Sequence, residues 1–573
     1  MSDRKFNLAT DPWLKVIEKD TNQEKTVSLI KLFQNAHNYR ELAGEMRSQD
    51  LAILRFLLAI LTTVYSRFNA KNEPYDWLTI DESTMQVSKS VNEDDYDQED
   101  ENDLFDTWKT LYQNGNGHFT EIVTNYLKRY EDHFCLFGEH PFYQVTESEY
   151  NFFVPAKKQI KDGKGSGTVA VKQINRQISE SAHTPAVFSP KVGEFKNDIK
   201  LDELVRWLIT YQNFTGVTDK TKIKTTEKFS VSRGWLYQLN SVFAAGNTLF
   251  QTLMLNLVLV RKDKMYYPQK PVWEYESVEN YVNKRKKQQI PDNIAEIYTS
   301  WSRILHIDWD QGGLPTIFSA GIPMFENEDA FIEPMTIWRI DKKTNRYKPA
   351  VKWLQSLGTA MWRNFGQYVN VNGSDDIHEP GIVEWLNLLK NKGIIPYNFH
   401  LTLASAILIS DGNATSQAPA AEVSDDMHIN AAVLFDERNP DYWPKRIEDT
   451  IELTQVIGKD FWRFAMTIGQ IRNYDARSFA NRLSSKFYES LNEPFKAWLA
   501  HLTNHDDRER KIELWKETLR KLVLDAASQV IQSSSPRDIR GLVDDKGLVN
   551  NIFTVNNHLR YKLQVDLKIE RKG

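Results

Sequence analysis

Beyond residue 430 the apolar residues recur at helical spacing through four long segments, 442–474, 476–502, 507–533 and roughly 544–567, parted by short polar breaks. Neighbouring long helices with short connections have few ways to bury their apolar faces, and the antiparallel four-helix bundle is the simplest. A chain of 573 residues is also too long for one core. The expectation is an α+β protein: a mixed α/β N-terminal domain over 1–429, then a C-terminal antiparallel four-helix bundle over 430–573.

The N-terminal part supplies the mixture. Residues 6–17 read as an extended segment packed by Leu8, Trp13 and Val16, and 26–33 and 39–68 as helices. The run from Leu51 to Val64 carries Arg55 and is too short to cross a bilayer, so it reads as a buried helix. Nine acidic residues between Glu93 and Asp106 read as a solvated insertion before a helix over 108–130. Further helices are expected over 201–214, 246–260 and about 353–365, with strand-like pieces through 298–341. The apolar run from Phe399 to Ile409 reads as a buried strand. It leads into D-G-N-A-T-S-Q-A-P-A-A-E-V-S-D-D over 411–426, a turn-rich loop with Gln417 as its one long uncharged side chain. On those residues alone the loop is either a probe for a groove or a solvated linker.

Net charge is −5, so no uniformly basic nucleic-acid coat exists, and any such binding needs local patches. Four basic clusters stand out: Lys157 to Arg176 in a long loop over 155–200; Lys220, Lys222, Lys224, Lys228 and Arg233; Lys284 to Lys287; and Lys342, Lys343, Arg346, Lys348 and Lys352. Phe188 stands alone between two prolines in the first loop, placed either to stack on a base or to dock on the protein's own surface. The single cysteine, Cys135, excludes an intramolecular disulfide, and the N-terminal residues lack an apolar signal region; a cytoplasmic protein is expected.

Catalytic patterns are missing. Gly163 to Gly167, G-K-G-S-G, lacks the ending of a phosphate loop, and His505-Asp506 has no companion at metal-ligand spacing. His133 and His140 flank an aromatic turn and read as packed side chains. The expectation is a binding protein with no catalytic residue, no metal and no cofactor.

With these residues in view, the chain resembles the CasA family, the large subunit of the type I-E CRISPR surveillance complex Cascade. The resemblance is carried by F-N-L-A-T-D-P-W-L from Phe6, F-G-E-H-P-F-Y-Q from Phe137 and T-P-A-V-F-S-P around Phe188. L-V-R-W-L-I-T-Y-Q-N-F from Leu204, the segment around Gln417 and the closing helices complete it. It implies a non-catalytic subunit that recognises the protospacer-adjacent motif (PAM) in double-stranded DNA and starts strand separation for the guide RNA. Its implied partners are target DNA, the crRNA-containing Cascade subunits and the helicase-nuclease, with no membrane. By the same resemblance Gln417 with Ser416 matches a wedge, and Thr215, Gly216, Val217 and Thr218 match a glycine loop. Phe188 matches an aromatic directed toward the crRNA 5′ end. The lysine finger implied near 321–326 has no lysine in this sequence, so Lys342 and Lys343 are candidate substitutes, and Lys220, Lys222 and Lys224 candidate phosphate contacts. The alternatives are a metal-dependent nuclease built on His505-Asp506 and a purely structural ribonucleoprotein scaffold.

Overall fold

A computed structural model describes residues 5–568 apart from 90, 92–95, 115–116, 170, 175–194, 196, 217–220, 262–264, 310–312, 353, 355–356, 370–375, 411–418, 438–440 and 544–546. The chain divides into two compact units. One comprises 1–357, 375–394 and 404–424; the other comprises 358–374, 395–403 and 425–573.

The first unit is organised around the helix Arg47–Tyr65, in which every residue except Arg47 and Asp50 is buried. Its apolar run therefore faces protein, and Arg55 is accommodated by a fully buried ion pair with Glu333 and by the ring of Tyr298, 4.3 Å from the guanidinium carbon. This helix is shorter than the 39–68 read from periodicity. Tyr39–Leu42 is instead a strand, paired antiparallel with Leu14–Glu18, whose other edge carries Glu24–Val27. The helix starts late because its own first-turn side chains tie down the preceding backbone: Gly44 N donates to Asp50 Oδ1 at 2.7 Å and Glu45 N to Gln49 Oε1 at 3.0 Å. Leu8, Trp13 and Val16 are fully buried, and the helix expected over 26–33 is Leu29–Asn35, capped by Ser28.

Three further expectations change. The acidic stretch is not a solvated insertion along its whole length, because the helix Gln98–Asn114 begins inside it. Glu99, Asp100 and Glu101 occupy the first turn, where they complement the helix dipole, and Leu104, Phe105, Trp108 and Leu111 are buried on one face. The helix expected over 108–130 is thus two, the second being Glu121–Arg129. The segment 246–260 holds only Leu249–Asn256, after a strand Ser241–Ala245. Asn256 ends that helix by bonding Ala244 through both its amide oxygen, 3.0 Å, and its amide nitrogen, 2.6 Å. The helix Leu201–Phe214 has the bounds read from sequence.

Two further small sheets belong to this unit. Arg303–Asp308 pairs antiparallel with Thr316–Gly321, whose far edge takes Thr168–Val169. Trp338–Asp341 lies between Arg346–Pro349 and Ile377–His378. Part of the basic segment 155–200 is therefore ordered structure: a turn closed by Lys161 and Lys164, a strand, and the short helix Val171–Ile174.

The strand expected over 399–409 is His400–Ser410. The loop after it is shorter than 411–426, because Pro419–Asn430 is a returning strand. Two cross-strand contacts, Thr402 Oγ1 with His428 Nδ1 at 2.8 Å and Ala431 N to Phe399 O at 2.8 Å, fix one antiparallel register.

In the second unit four long helices, Trp443–Ile471, Ala476–Ala500, Arg508–Gln532 and Ile552–Asp566, bury their apolar stripes against one another. Phe461 meets Phe487 at 5.1 Å between ring centroids, and Trp515 Nε1 donates to Thr454 Oγ1 at 2.9 Å. Asp475, Asp507 and Asn551 cap the second, third and fourth helices. The fourth begins eight residues later than expected at 544, after the small antiparallel pair Leu542–Val543 and Val549–Asn550. The unit also recruits residues from before 430. Trp362 stacks on Phe495 at 4.1 Å, Lys496 Nζ bonds Asp425 at 2.6 Å, and Asn504 Nδ2 donates to Tyr397 at 2.6 Å. Among the described residues of 353–365 there is no long helix; they hold a short 3-10 turn, Met361–Asn364, which is followed by one turn of α-helix, Gly366–Val369.

Candidate nucleic-acid interface

The helix Leu201–Phe214 ends at Thr215, which is fully buried and donates its N–H to Tyr211 O at 2.9 Å. Gly216 follows, its carbonyl accepting a hydrogen bond from the guanidinium of Arg303. Arg303 has no exposed surface and also donates to the carbonyls of Ser232 and Ser302. The first two residues of the expected glycine loop are thus held rigidly, while Val217, Thr218 and Lys220 lie outside the described residues.

The chain re-enters at Thr221 and runs beside the end of the strand Thr316–Gly321. Gly321 N donates to Thr221 O at 2.9 Å, Ile223 N to Gly321 O at 3.1 Å, and Lys222 forms a parallel bridge with Gly321. On the other side of the same segment Ser232 N donates to Ile322 O at 2.8 Å and Met324 N to Ser230 O at 3.0 Å. A side chain at Gly321 would put its Cβ 2.6 Å from Val231 Cγ1, so glycine permits this close pairing. Residues 321–324 are therefore flanked by both arms of the second basic loop. That brings together Gly216, Lys222, Lys224 and the region where the resemblance implies a lysine.

The G-K-G-S-G turn also reaches this place, for a packing reason. Gly167 has φ +92, accepts from Ser319 N at 3.0 Å, and would drive a Cβ to 2.5 Å from Thr221 Oγ1. It lets two backbones approach and does not form a phosphate loop.

Beside this strand end lies a cleft of about 590 Å³, lined among others by Lys224, Lys228, Phe229, Lys286, Gln288 and Pro323. Lys222, Lys224, Lys228 and Lys286 are exposed, and none of them is paired with a carboxylate among the described residues. Lys222 and Lys224 lie instead over the rings of Phe229 and Phe152, at 5.4 and 5.5 Å. Unpaired ammonium groups beside aromatic faces can hold phosphate oxygens and support stacked bases.

The other basic clusters divide. Lys284 is held by Glu296, at 2.7 Å, and by Tyr275, while buried Arg285 clamps the carbonyls of Trp301 and Pro323. Arg346 bonds Asp329 at 2.7 Å and also Glu326; these carboxylates raise its pKa above the usual guanidinium value. Lys348 bonds Asp341 and Glu328. Lys342 and Lys343 remain exposed at the turn between Trp338–Asp341 and Arg346–Pro349, a hairpin tied to Glu326 through Arg346.

Phe188, Ser416 and Gln417 lie outside the described residues; the stalk of the Gln417 loop is described, with Ser410 and Pro419 both buried. Asp506 accepts from Thr503 N at 2.6 Å and pairs with Lys511 at 3.4 Å, so it shapes an inter-helix turn. Among the described residues no group of three His, Cys, Asp or Glu side chains could hold a metal ion. Phe229 was not singled out from sequence, nor was Arg303, which is buried behind the surface; Arg285 falls in the expected Lys284 to Lys287 cluster but is buried and so does not offer its charge to solvent. The alternation in R-I-L-H-I-D does mark Arg303 as facing the same side as apolar residues.

Fold and surface define an α+β protein with a C-terminal helical bundle and a cleft of unpaired lysines at the end of a small sheet. The chain belongs to the CRISPR-associated protein Cse1 family, also called CasA, matching that family over residues 7–526. The crystal structure of Thermobifida fusca Cse1 is similar at 19% identity and a TM-score of 0.75, covering 99% of this chain and 98% of that one. Thermus thermophilus CasA (Cse1) is similar at 15% identity and a TM-score of 0.64, covering 98% and 100%. A chain of a CRISPR RNA-guided surveillance complex is similar at 15% identity and a TM-score of 0.60, covering 98% and 99%. No curated protein matches.

Proposed function

We propose that this chain is the non-catalytic large subunit of a type I-E CRISPR RNA-guided surveillance complex. In that role it recognises the PAM in double-stranded DNA, starts strand separation for the crRNA and helps to recruit the helicase-nuclease. The observation that carries the reading is the convergence of the Thr215–Gly216 corner, the 321–324 segment and Lys222, Lys224, Lys228 and Lys286, which no carboxylate holds among the described residues. Lysines on an acidic body give phosphate affinity that is modest and falls steeply with salt, which suits a protein that must test and leave many sites. The minor groove carries a degenerate code, so backbone and amide contacts there recognise a short motif permissively. Opening the first base pairs costs a few kcal/mol, which an inserted side chain such as Gln417 offsets. Pairing with the guide RNA then reads the remaining sequence. The test is Gln417→Ala in the assembled complex: assembly is expected to persist while R-loop formation is lost. Normal R-loop formation by that variant removes Gln417 from the mechanism.

A further inference from the structure

Away from the lysine cleft, the first unit contains a cavity of about 130 Å³ between the F-G-E-H-P-F-Y-Q turn and the segment from Val272 to Tyr281. Its wall is a run of rings. Tyr275 meets Tyr281 at 5.4 Å, Tyr281 meets Trp301 at 5.6 Å, and Trp301 meets Tyr143 at 6.4 Å. Glu139, Glu149 and Glu276 contribute the carboxylates of its lining. Glu149 is partly used by the Thr146 cap and Glu276 by Asn280, at 3.0 Å, but a carboxylate has about four acceptor sites, so capacity remains. Glu139 and Glu276 are exposed.

Two features mark the cavity as more than a packing gap. Tyr143, on its wall, has φ +55, a conformation bulky residues rarely adopt. The aromatic wall already attracts cations, since Lys270 Nζ and Lys284 Nζ lie 5.0 and 5.7 Å from the centre of the Tyr275 ring. Lys284 is itself neutralised by Glu296.

Size and charge select the occupant. An apolar cavity of roughly 150 Å³ holds one benzene, and this space is of similar size, enough to seat one planar side-chain group. Three carboxylates repel phosphate and favour a cation. A guanidinium stacks on aromatic faces and bonds carboxylates in a planar fork, which an ammonium cannot do. A single cationic group binds weakly when free, but on a protein surface it gains from the surrounding interface, where Trp, Tyr and Arg dominate affinity. We propose that this cavity seats an arginine side chain presented by a partner protein. That the partner is another subunit of the same complex rests on the function proposed above; the cation affinity of the cavity does not.

The experiment has two arms. In the first, the full isolated chain is titrated with N-acetyl-arginine amide by ligand-observed NMR, with the neutral citrulline amide as control. Saturable binding of the arginine derivative is expected, roughly tenfold tighter than citrulline and lost in Glu139→Gln/Glu276→Gln. Absence of saturation below about 50 mM, or equal binding of citrulline, overturns the proposal. In the second, Glu139→Lys/Glu276→Lys is expected to weaken association with the other subunits roughly tenfold while thermal unfolding of the isolated chain is unchanged. Unchanged association identifies a free-cation site and overturns docking. Either failure leaves the Gln417 test of duplex opening unaffected, because the isolated-chain titration contains no DNA.

Discussion

Arg303 donates from its guanidinium to the carbonyl of Gly216, tying an edge strand of a small sheet to the residue where the helix Leu201–Phe214 gives way to the lysine-bearing loop. The bond joins residues 87 positions apart. It makes the corner Thr215–Gly216 part of the rigid core.

Replacing Arg303 with Met removes three bonds to backbone carbonyls, those of Gly216, Ser232 and Ser302. Leaving such groups buried and unpaired costs about 3–5 kcal/mol in total. Urea unfolding followed by tryptophan fluorescence is expected to register that loss. PAM-dependent duplex affinity of the assembled complex is expected to fall with it, because the corner no longer has a fixed position.

The lysines separate by whether a carboxylate already holds them. Lys222→Ala/Lys224→Ala/Lys228→Ala is expected to weaken duplex binding and to flatten the plot of log affinity against log salt, by about 0.9 for each phosphate that is no longer neutralised. Lys284→Ala, whose ammonium is bound to Glu296 at 2.7 Å, is expected to leave that slope unchanged. Equal slopes for the wild type and the triple variant exclude these lysines as phosphate ligands.

Asp50 provides a pH dependence. Burial raises its carboxyl pKa to about 7, against the opposing pull of the Gly44 N–H and Arg47. The folded chain therefore binds a proton that the unfolded chain has released between about pH 4 and 7, so this group's contribution to stability falls as pH rises through that window. Asp50→Asn keeps an oxygen to accept from Gly44 N. Its stability relative to wild type is expected to rise by about 2–3 kcal/mol between pH 5 and pH 8, by thermal unfolding at both values.

In the helical unit Asp538 is fully buried beside Arg472, at 3.0 Å, and Arg472 in turn donates to Val530 O at 3.0 Å. Asp538→Ala leaves a nearly buried guanidinium unpaired and is expected to cost about 3 kcal/mol. The loss is expected as an earlier far-UV melting transition. An unshifted transition shows that Arg472 finds other partners.

Some of this was legible from residue order. The helix Leu201–Phe214, the strand His400–Ser410 and the starts of the three longest bundle helices follow from local periodicity and from capping residues such as Asp475 and Asp507. Where residue order misleads, the cause is shared. The acidic stretch reads as solvated because carboxylates dominate its composition, whereas Leu104, Phe105, Trp108 and Leu111 on one face bury the helix that begins within it. The segment 39–68 reads as one helix because Tyr39 and Leu42 suit both periods, and only the pairing with Leu14–Glu18 decides for a strand.

By itself the sequence determined the elements whose causes lie within a few residues: helix periods, caps, and the membership of a family carried by ordered motifs. Only the tertiary structure decided which charges are free. Whether a lysine can meet phosphate depends on carboxylates that folding brings beside it, as Glu296 comes to Lys284 and not to Lys222. Whether a glycine becomes a fixed corner depends on an arginine 87 positions away. Ion pairing and burial are set by distances in space, and spacing along the chain does not encode them.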